Sequence, residues 1–587
     1  MPVRRSDLSP HDSDPRLPSL RYNRRLMLLR DKLDRWAYAG LLALALASPF
    51  EMTEPVLRIS GLDITNLELV LLAALALGAA SWLAGSKPLS WKNPVTAPLL
   101  GLLAVMFLSA LVAAEQPGQA WRFTGRFMAG SAVFFLAVHL LGNHQRRLGL
   151  LLAVTLSGAA VASLAVLEHL GWPVVLGWLS PFRPGPFWVG GVLRASATLQ
   201  YPTITSMWLE LAFGLCLGLL IYSLQRNLRG KSALLLAAAL LLACGVMVTL
   251  TRGGLIALVV QMAVAAALVR RRQRSALPVL AALAVLMGGF FAWMTVQSPD
   301  ARLRLLGETP RNWYRFSIQA PLELRLAPGE KRRISVTVRN RGELTWVPEG
   351  AQYPFRLSYH WMDPEREVAL IFEGLRTPLT SPLAPGQSLP LQAWVEAPPR
   401  TGQYRLAWDM LQEHRLWFSS EEDLRTFTKV SVEGEPIEAP EYSERVLPDS
   451  QARHQVSRFK LWRAAVAMTA DHPILGAGPD HFRLLYDRYL DLGLINRSLH
   501  ANNMYLEFFA DLGLPGGLLF LWLWIRLAAQ LRQTAGHTME AGSGLALLTA
   551  AACATAAIAV HGLVDHFWGF TSTYILMWIC LGLAAKE

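Results

Sequence analysis

Arg252 stands in Leu250-Thr251-Arg252-Gly253-Gly254, at the junction of two strongly apolar runs. A guanidinium grips a phosphate through paired hydrogen bonds, and the adjacent glycines let a ligand approach the backbone closely. A snorkelling anchor is the plainer reading, but positive charge is scarce in the loops on this side, which favours binding. Arg194, in Leu193-Arg194-Ala195-Ser196, fits equally well with simply facing water, while Arg122 and Arg126 open another apolar run. His500 lies in Ser498-Leu499-His500-Ala501-Asn502-Asn503. A neutral imidazole there can act as a base, and Asn502 and Asn503 can fix a loop or a helix start. Asp565, beside His566, is either a cap or the orienter of a histidine. His472-Pro473-Ile474-Leu475-Gly476-Ala477-Gly478-Pro479 reads as a tight structural loop; without a following Lys and Ser/Thr it is no nucleotide P-loop.

The elements that must position these residues are membrane helices. The chain of 587 residues is 53% hydrophobic and 17% charged, well below the roughly 25% charge of soluble proteins. That balance excludes an ordinary soluble enzyme and a largely disordered chain. The four cysteines all lie in apolar runs and form neither a disulfide scaffold nor a zinc pattern. The formal charge of +12 then points to membrane rather than nucleic acid. A spanning helix needs about 20 apolar residues, and about twelve runs qualify: 36–50, 64–84, 95–114, 123–142, 148–170, 204–224, 232–250, 254–269, 276–297, 504–525, 542–564 and 568–585. The N-terminal 35 residues are polar and arginine-rich, with no cleavable signal pattern. If they are cytoplasmic, the short inner loops and termini hold 23 Lys and Arg and the short outer loops five. By the positive-inside rule both termini are then cytoplasmic, and all the candidate residues fall on one, outer, face.

The expected organisation is a basic tail (1–35), nine spans (36–297), an outer loop (298–450), a helical return segment carrying the His500 loop (451–503) and three final spans (504–587). Within the loop, about 310–440, alternation at Ile334, Val336, Val338, at Leu357, Tyr359, Trp361, and at Tyr404, Leu406, Trp408, Met410 marks strands. Turn signals such as Ala327-Pro328-Gly329 and Ala384-Pro385-Gly386 separate them. An antiparallel β-sandwich follows, similar to Ig-like modules of bacterial surface-polysaccharide proteins. Of its Trp346, Trp361, Trp394, Trp408 and Trp417, core packing is the preferred reading over sugar stacking. A helix is expected near 455–470.

Three segments resemble the O-antigen ligase and polymerase family of bacterial membrane glycosyltransferases: Thr251-Arg252-Gly253-Gly254-Leu255-Ile256-Ala257-Leu258, His472 to Phe482, and His500-Ala501-Asn502-Asn503-Met504-Tyr505-Leu506-Glu507 running on to Leu512-Gly513-Leu514-Pro515-Gly516. A weaker match, Arg194 to Pro202, lacks the family's usual glycine before threonine, and Tyr201 replaces asparagine. A β-domain of this size is also unusual for the family at this place. The resemblance implies an all-α polytopic, GT-C-like fold and an undecaprenyl-pyrophosphate-linked saccharide donor. The acceptor is a glycan, lipid or protein, the transfer is metal-independent and inverting without a cofactor, and the location is a bacterial inner membrane, with polysaccharide assembly proteins as possible partners. Arg252, Arg194 and Arg122 would hold the pyrophosphate, with Arg252 stabilising the leaving group. His500 would be the base, with Asn502, Asn503 and Asp565 in support. A polysaccharide transporter or flippase is the rival reading, although no inverted repeat is visible.

Overall fold

In the computed structural model the described residues are 17–59, 62–85, 93–113, 115–183, 185–189, 192–306, 313–348, 354–365, 368–413, 416–420, 426–437, 445–446, 458–490, 499–537 and 544–586. Much of the basic tail, most of the stretch between the second and third apolar runs, Ser498 and most of the loop between the β-domain and its return helix therefore lie outside them. Each of the twelve apolar runs forms a helix. In chain order these are α1 (Leu17–Ala47), α2 (Asn66–Leu83), α3 (Thr96–Val112), α4 (Pro117–Leu140), α5 (His144–His169), then, after a short α6 (Pro173–Trp178), α7 (Pro202–Gln225), α8 (Arg229–Val248), α9 (Arg252–Arg272) and α10 (Leu277–Gln297). A short α11 (Pro299–Leu306) leads to the β-domain. The return helix α12 (Arg458–Asp471), the single turn α13 (Phe482–Leu485), and α14 (Met504–His537), α15 (Gly544–His561) and α16 (Thr571–Lys586) complete the chain.

Nine helices among the described residues are long and apolar enough to cross a membrane, against the twelve expected. The difference lies in local chain chemistry. The apolar cores of α3 and α16 are shorter than 18 residues, and the first run is the apolar end of α1, whose other half is charged. The protein is thus a multi-pass membrane protein. Its central helix is α7, whose apolar stretch is wholly buried. Between lipid-immersed helices, close approach of small residues replaces the hydrophobic effect as the source of packing. Here Gly214 and Gly218, four apart on α7, face α15 so tightly that a Cβ on Gly218 would come within 2.5 Å of the Ala550 methyl.

The β-domain packs a three-stranded sheet, ordered β11-β7-β5, against a larger one ordered β15-β9-β8-β12-β14-β6. The smaller sheet comprises β5 (Phe316–Gln319), β7 (Lys331–Asn340) and β11 (Ser388–Glu396); the larger comprises β6 (Glu323–Leu326), β8 (Phe355–Met362), β9 (Val368–Ile371), β12 (Gly402–Gln412), β14 (Thr426–Val432) and β15 (Arg445–Val446). The alternating residues Ile334, Val336, Val338, Leu357, Tyr359, Trp361, Leu406, Trp408 and Met410 share one core. Two expectations need correction. β14 and β6 pair in parallel, so the sandwich is not purely antiparallel. Strand β12 is buried on both faces from Leu406 onward, because a second small cluster of Met362, Ala369 and Ala407 covers its other side. Trp346, Trp361 and Trp408 are core residues, whereas Trp394 is 41% exposed.

Candidate active site

Residues far apart in sequence line one cavity of about 1190 Å³. Arg122 and Arg126 enter it one turn apart on α4, and Asp63 from a hairpin, β1 (Leu57–Ile59) and β2 (Leu62–Ile64). Arg194 closes β4 (Val192–Arg194), which pairs with β3 (Phe187–Val189). Asp480 comes from the loop before α13 and Arg483 from α13 itself, Leu499, His500 and Asn502 from the loop before α14, and Asp565 and His566 from the turn before α16. Of the residues singled out in the sequence, His500, Arg194, Arg122, Asn502 and Asp565 meet on these walls. Arg252 and Asn503 are not among the cavity-lining residues.

His500 is held by a carboxylate from its own motif. Glu507, on the first turn of α14 and almost fully buried, takes His500 Nδ1 at 2.5 Å on Oε1. Its Oε2 accepts the Ala501 amide at 2.9 Å. One carboxylate thus fixes both the ring and the loop, so Glu507, not Asp565, is the orienter. Asp565 instead caps the His566 amide at 2.9 Å. Asn503 is the cap of α14: its Oδ1 accepts from the amides of Tyr505 and Leu506, each at 3.0 Å. Asn502 makes the preceding bend in the left-handed region, at φ 50°. Burial alone would depress the His500 imidazole, but Glu507, with Asp480 beyond it, holds it above the ordinary histidine value. His566 stacks on His500 with ring centroids 4.4 Å apart. Burial pushes it down to about 4, so it stays neutral, although Glu507 draws it the other way. Such a pair, Nδ1 tied to a carboxylate and the ring edge at a cavity, is the arrangement of a general base.

The His472–Phe482 loop supports this edge structurally, as expected. Its Ala477 and Gly478 amides donate to the carbonyls of Ala510 and Asp511, each at 3.0 Å, and the Asp511 carboxylate accepts from the amides of Asp480 (2.8 Å) and Phe482 (2.7 Å). Gly476 (φ 70°) and Gly513 (φ 69°) sit where the two motifs touch. A Cβ on Gly476 would lie 2.2 Å from the Asp511 carbonyl. The paired glycines are therefore required for the two segments to dock. Asp480, so fixed, accepts both Nε and Nη2 of Arg483 (2.9 and 2.7 Å) and the Gln119 amide (2.6 Å). Burial raises Asp480, but the bonds from Arg483 and the His500 charge carry it below the usual carboxylate value.

The arginines sit on other walls. Arg194 Nε donates to the Thr249 carbonyl at 3.0 Å. Burial lowers it to about 9, helped by neighbouring Arg304 and opposed by Asp565. Its loop is held from behind by Glu168, which pairs with buried Arg183 and accepts the amides of Ser196 (3.1 Å) and Ala197 (2.6 Å). Arg126 Nη1 donates to the Gly569 carbonyl at 2.5 Å, and Arg122 is exposed on the wall. Arg252 begins α9, and its Nε donates to the Arg304 carbonyl at 3.0 Å. Its two glycines serve packing: a Cβ on Gly253 would be 2.4 Å from His561, and one on Gly254 2.0 Å from Ser206 Oγ. His561 is itself bonded to Glu210 at 2.9 Å.

Sequence reasoning missed the roles of Glu507, Asp480 and Arg483; Arg126, marked beside Arg122, also lines the cavity. Glu507 was within reach, since it stands in the same motif as His500. His500, Glu507 and His566 also offer ligand atoms within 4.8 Å of one another, a donor set able to hold a metal ion. In the present geometry, however, His500 Nδ1 is committed to Glu507.

No curated protein matches the chain. Residues 426–521 match the model of a family described as O-antigen ligase. This stretch holds His500, Glu507, Asp511 and both docking glycines, and not Arg194 or Arg252. The match covers less than a fifth of the chain and supports, over that stretch, a likeness to the O-antigen ligase and polymerase family.

Proposed function

We propose that the protein transfers or polymerises saccharide units linked to undecaprenyl pyrophosphate at the outer face of the cytoplasmic membrane, with inversion at the anomeric carbon. What supports the reading most is that His500, oriented by Glu507, shares one cavity with Arg194, Arg122 and Arg126. An acceptor hydroxyl oxygen attacks the anomeric carbon while the bond from that carbon to the phosphate oxygen breaks. The electron pair leaves on the diphosphate, and the hydroxyl proton passes to His500 Nε2. Imidazolium so formed is stabilised by Glu507. Charge growing on the diphosphate is met by guanidinium groups already in place, which need no reorganisation as the bond breaks. Arg194 and Arg122 take this role at the wall, with Arg126 beside them; Arg252 acts from behind the 249–252 turn. Cations so arranged do a metal's electrostatic work, so no metal ion is required. The basic bias of the alternate loops supports the outer location of the cavity and cytoplasmic termini.

Glycan analysis of a deletion strain tests the proposal. Undecaprenyl-linked saccharide should accumulate at the outer face, and complementation by the wild-type chain, not by His500→Ala, should clear it. Single-unit chains would identify a polymerase; long chains left on the carrier would identify a ligase. Donor trapped on the inner face would overturn the proposal in favour of a flippase.

A further inference from the structure

Three aromatic rings on the cavity wall have no part in the mechanism above. Phe187 lies on β3, Tyr201 immediately precedes α7 and Phe570 immediately precedes α16, and all three line the cavity. The Phe187 and Tyr201 ring centroids are 5.4 Å apart. Those of Tyr201 and Phe570 are 5.8 Å apart, with the ring planes at 73°. Tyr201 is thus braced by two segments remote from each other in the chain, yet it remains 39% exposed. Each brace is itself tied to the reacting groups. Phe187 pairs in register with Arg194 across the β3–β4 hairpin. Phe570 follows Gly569, whose carbonyl accepts from Arg126 and where a Cβ would lie 3.8 Å from His500 Nε2. The aromatic cluster therefore joins the Arg194 strand to the wall at His500.

The fold does not account for Tyr201. It holds the N-cap position of α7 with extended backbone (φ −144°, ψ 150°), and its side chain caps nothing. Ser, Thr, Asp or Asn there would satisfy an orphan helix amide. An aromatic face is apolar and carries partial negative charge. The side of a pyranose ring that bears axial hydrogens is apolar with weakly positive C–H groups, so the two faces match. The hydroxyls around the ring edge then need polar partners, and Asp63, Gln200 and Asn502 line the same cavity. At about 1190 Å³ the cavity exceeds the roughly 300–1,000 Å³ of a small-ligand pocket, so it has room for a sugar ring beside the reacting groups. We infer that Tyr201, held by Phe187 and Phe570, is the stacking surface for a pyranose ring beside His500, and so a specificity-determining residue of the site. The inference rests on the proposed saccharide transfer and adds a selection rule to it: a ring with an axial hydroxyl on the stacked face is disfavoured.

Binding to the full chain in lipid nanodiscs, measured without turnover, tests this. The probes are the lipid-linked saccharide extracted from the deletion strain and bare undecaprenyl pyrophosphate. Tyr201→Asn removes the ring and supplies a cap, so thermal stability should hold or rise. If the stacked ring belongs to the donor, the saccharide-bearing lipid should bind roughly three- to tenfold more weakly, and the bare carrier as before. If it belongs to the acceptor, both lipids should bind as before and the acceptor KM should rise by that factor. Tyr201→Phe, which keeps the aromatic face, should recover most of the loss. Should Tyr201→Asn fail to fold, Tyr201→Leu keeps apolar packing without the aromatic face and is read in the same way. Equal weakening of both lipids would reduce Tyr201 to a brace for the Arg194 hairpin and overturn the inference, as would unchanged lipid binding together with an unchanged acceptor KM. Saccharide binding that depends on Tyr201 in a chain that transfers nothing would instead break the proposed function and leave the stacking surface standing.

Discussion

The β-domain and the membrane-side site each bury a histidine against a carboxylate, and only one of the two pairs faces open space. In the β-domain, His360 Nε2 lies 3.3 Å from Asp409 Oδ2, and Nδ1 lies 2.5 Å from the Phe372 carbonyl. The ring is packed between Phe372 and Trp417, with centroids at 4.6 and 4.4 Å. Asp409 accepts also from the Met410 and Ser419 amides, at 2.8 and 3.1 Å. Both side chains are fully buried, and every nitrogen of the ring is engaged. At the other pair Glu507 is as deeply buried, but the His500 side chain is 15% exposed, on the wall of the cavity. The histidine–carboxylate pair is thus a fastener in one place and a candidate base in the other. What separates them is whether one ring nitrogen is left for a substrate, not the pair itself.

The sharpest way to break this contrast is to remove each histidine partner in turn. His500→Ala should lower the transfer rate by about 10²- to 10⁴-fold, the usual worth of a positioned general base, together with some loss of stability, because the buried Glu507 carboxylate then lacks its imidazole partner. Transfer assayed in membranes with extracted lipid-linked donor measures this; a rate near wild type would remove His500 from the reaction. Asp409→Ala should do the opposite. It strands His360 and two buried amides, each costing about 1–3 kcal/mol, so the β-domain should unfold in denaturant at markedly lower concentration. The rate per folded molecule should stay above that of His500→Ala.

A subtler test concerns pH. Glu507 holds His500 above the ordinary histidine value of about 6.5. A base works unprotonated, so the transfer rate should rise with pH through a midpoint above that value. The sign for stability is reversed. The His500–Glu507 attraction contributes fully below the unfolded-state value and is lost as pH climbs through the raised folded-state one. Glu507→Gln should move the rate midpoint down, since burial is then opposed only by Asp480 beyond it. His360 has no access to a substrate, so Asp409→Asn should leave the midpoint of the rate unchanged.

How far these roles were legible in the sequence follows from how each residue is positioned. The apolar runs and the strand alternations are periodic and local, so the twelve helices and the β-domain could be placed along the chain. His500, Arg194, Arg122, Asn502 and Asp565 were findable because charged or polar residues beside apolar runs are costly unless used. The sequence assigns Glu507 no role because the loop between it and His500 follows no period that sequence can reveal. Asp480 and Arg483 reach the cavity only through the docking of Gly476 against Gly513, a tertiary event. Strand β12 looked half-buried, since nothing in its alternation announces the second cluster over Ala407. The two glycines after Arg252 suggested ligand access, whereas they make room for His561 and Ser206.

The smallest effect is expected at Ala197, where the resemblance to the family lacks its usual glycine. Ala197 is fully buried and left-handed, at φ 45°, a conformation that costs an L-residue about 1–2 kcal/mol. Restoring glycine removes that cost. Against it stand about 0.5–1 kcal/mol of added unfolded-state entropy and about 0.8 kcal/mol for the buried methyl group. These terms nearly cancel, so Ala197→Gly should shift stability by under about 1 kcal/mol in either direction and leave the donor KM unchanged. Ala197→Val meets the same backbone with a β-branched side chain in a filled space, and it should destabilise the chain and weaken donor binding through Arg194, three residues away. Thermal unfolding and donor KM, measured side by side, check both. A large loss of stability in Ala197→Gly would mean that the methyl group, rather than the Glu168 carboxylate bonded to this turn, holds Arg194 at the cavity wall, and the contrast between fastening and working residues would need redrawing there.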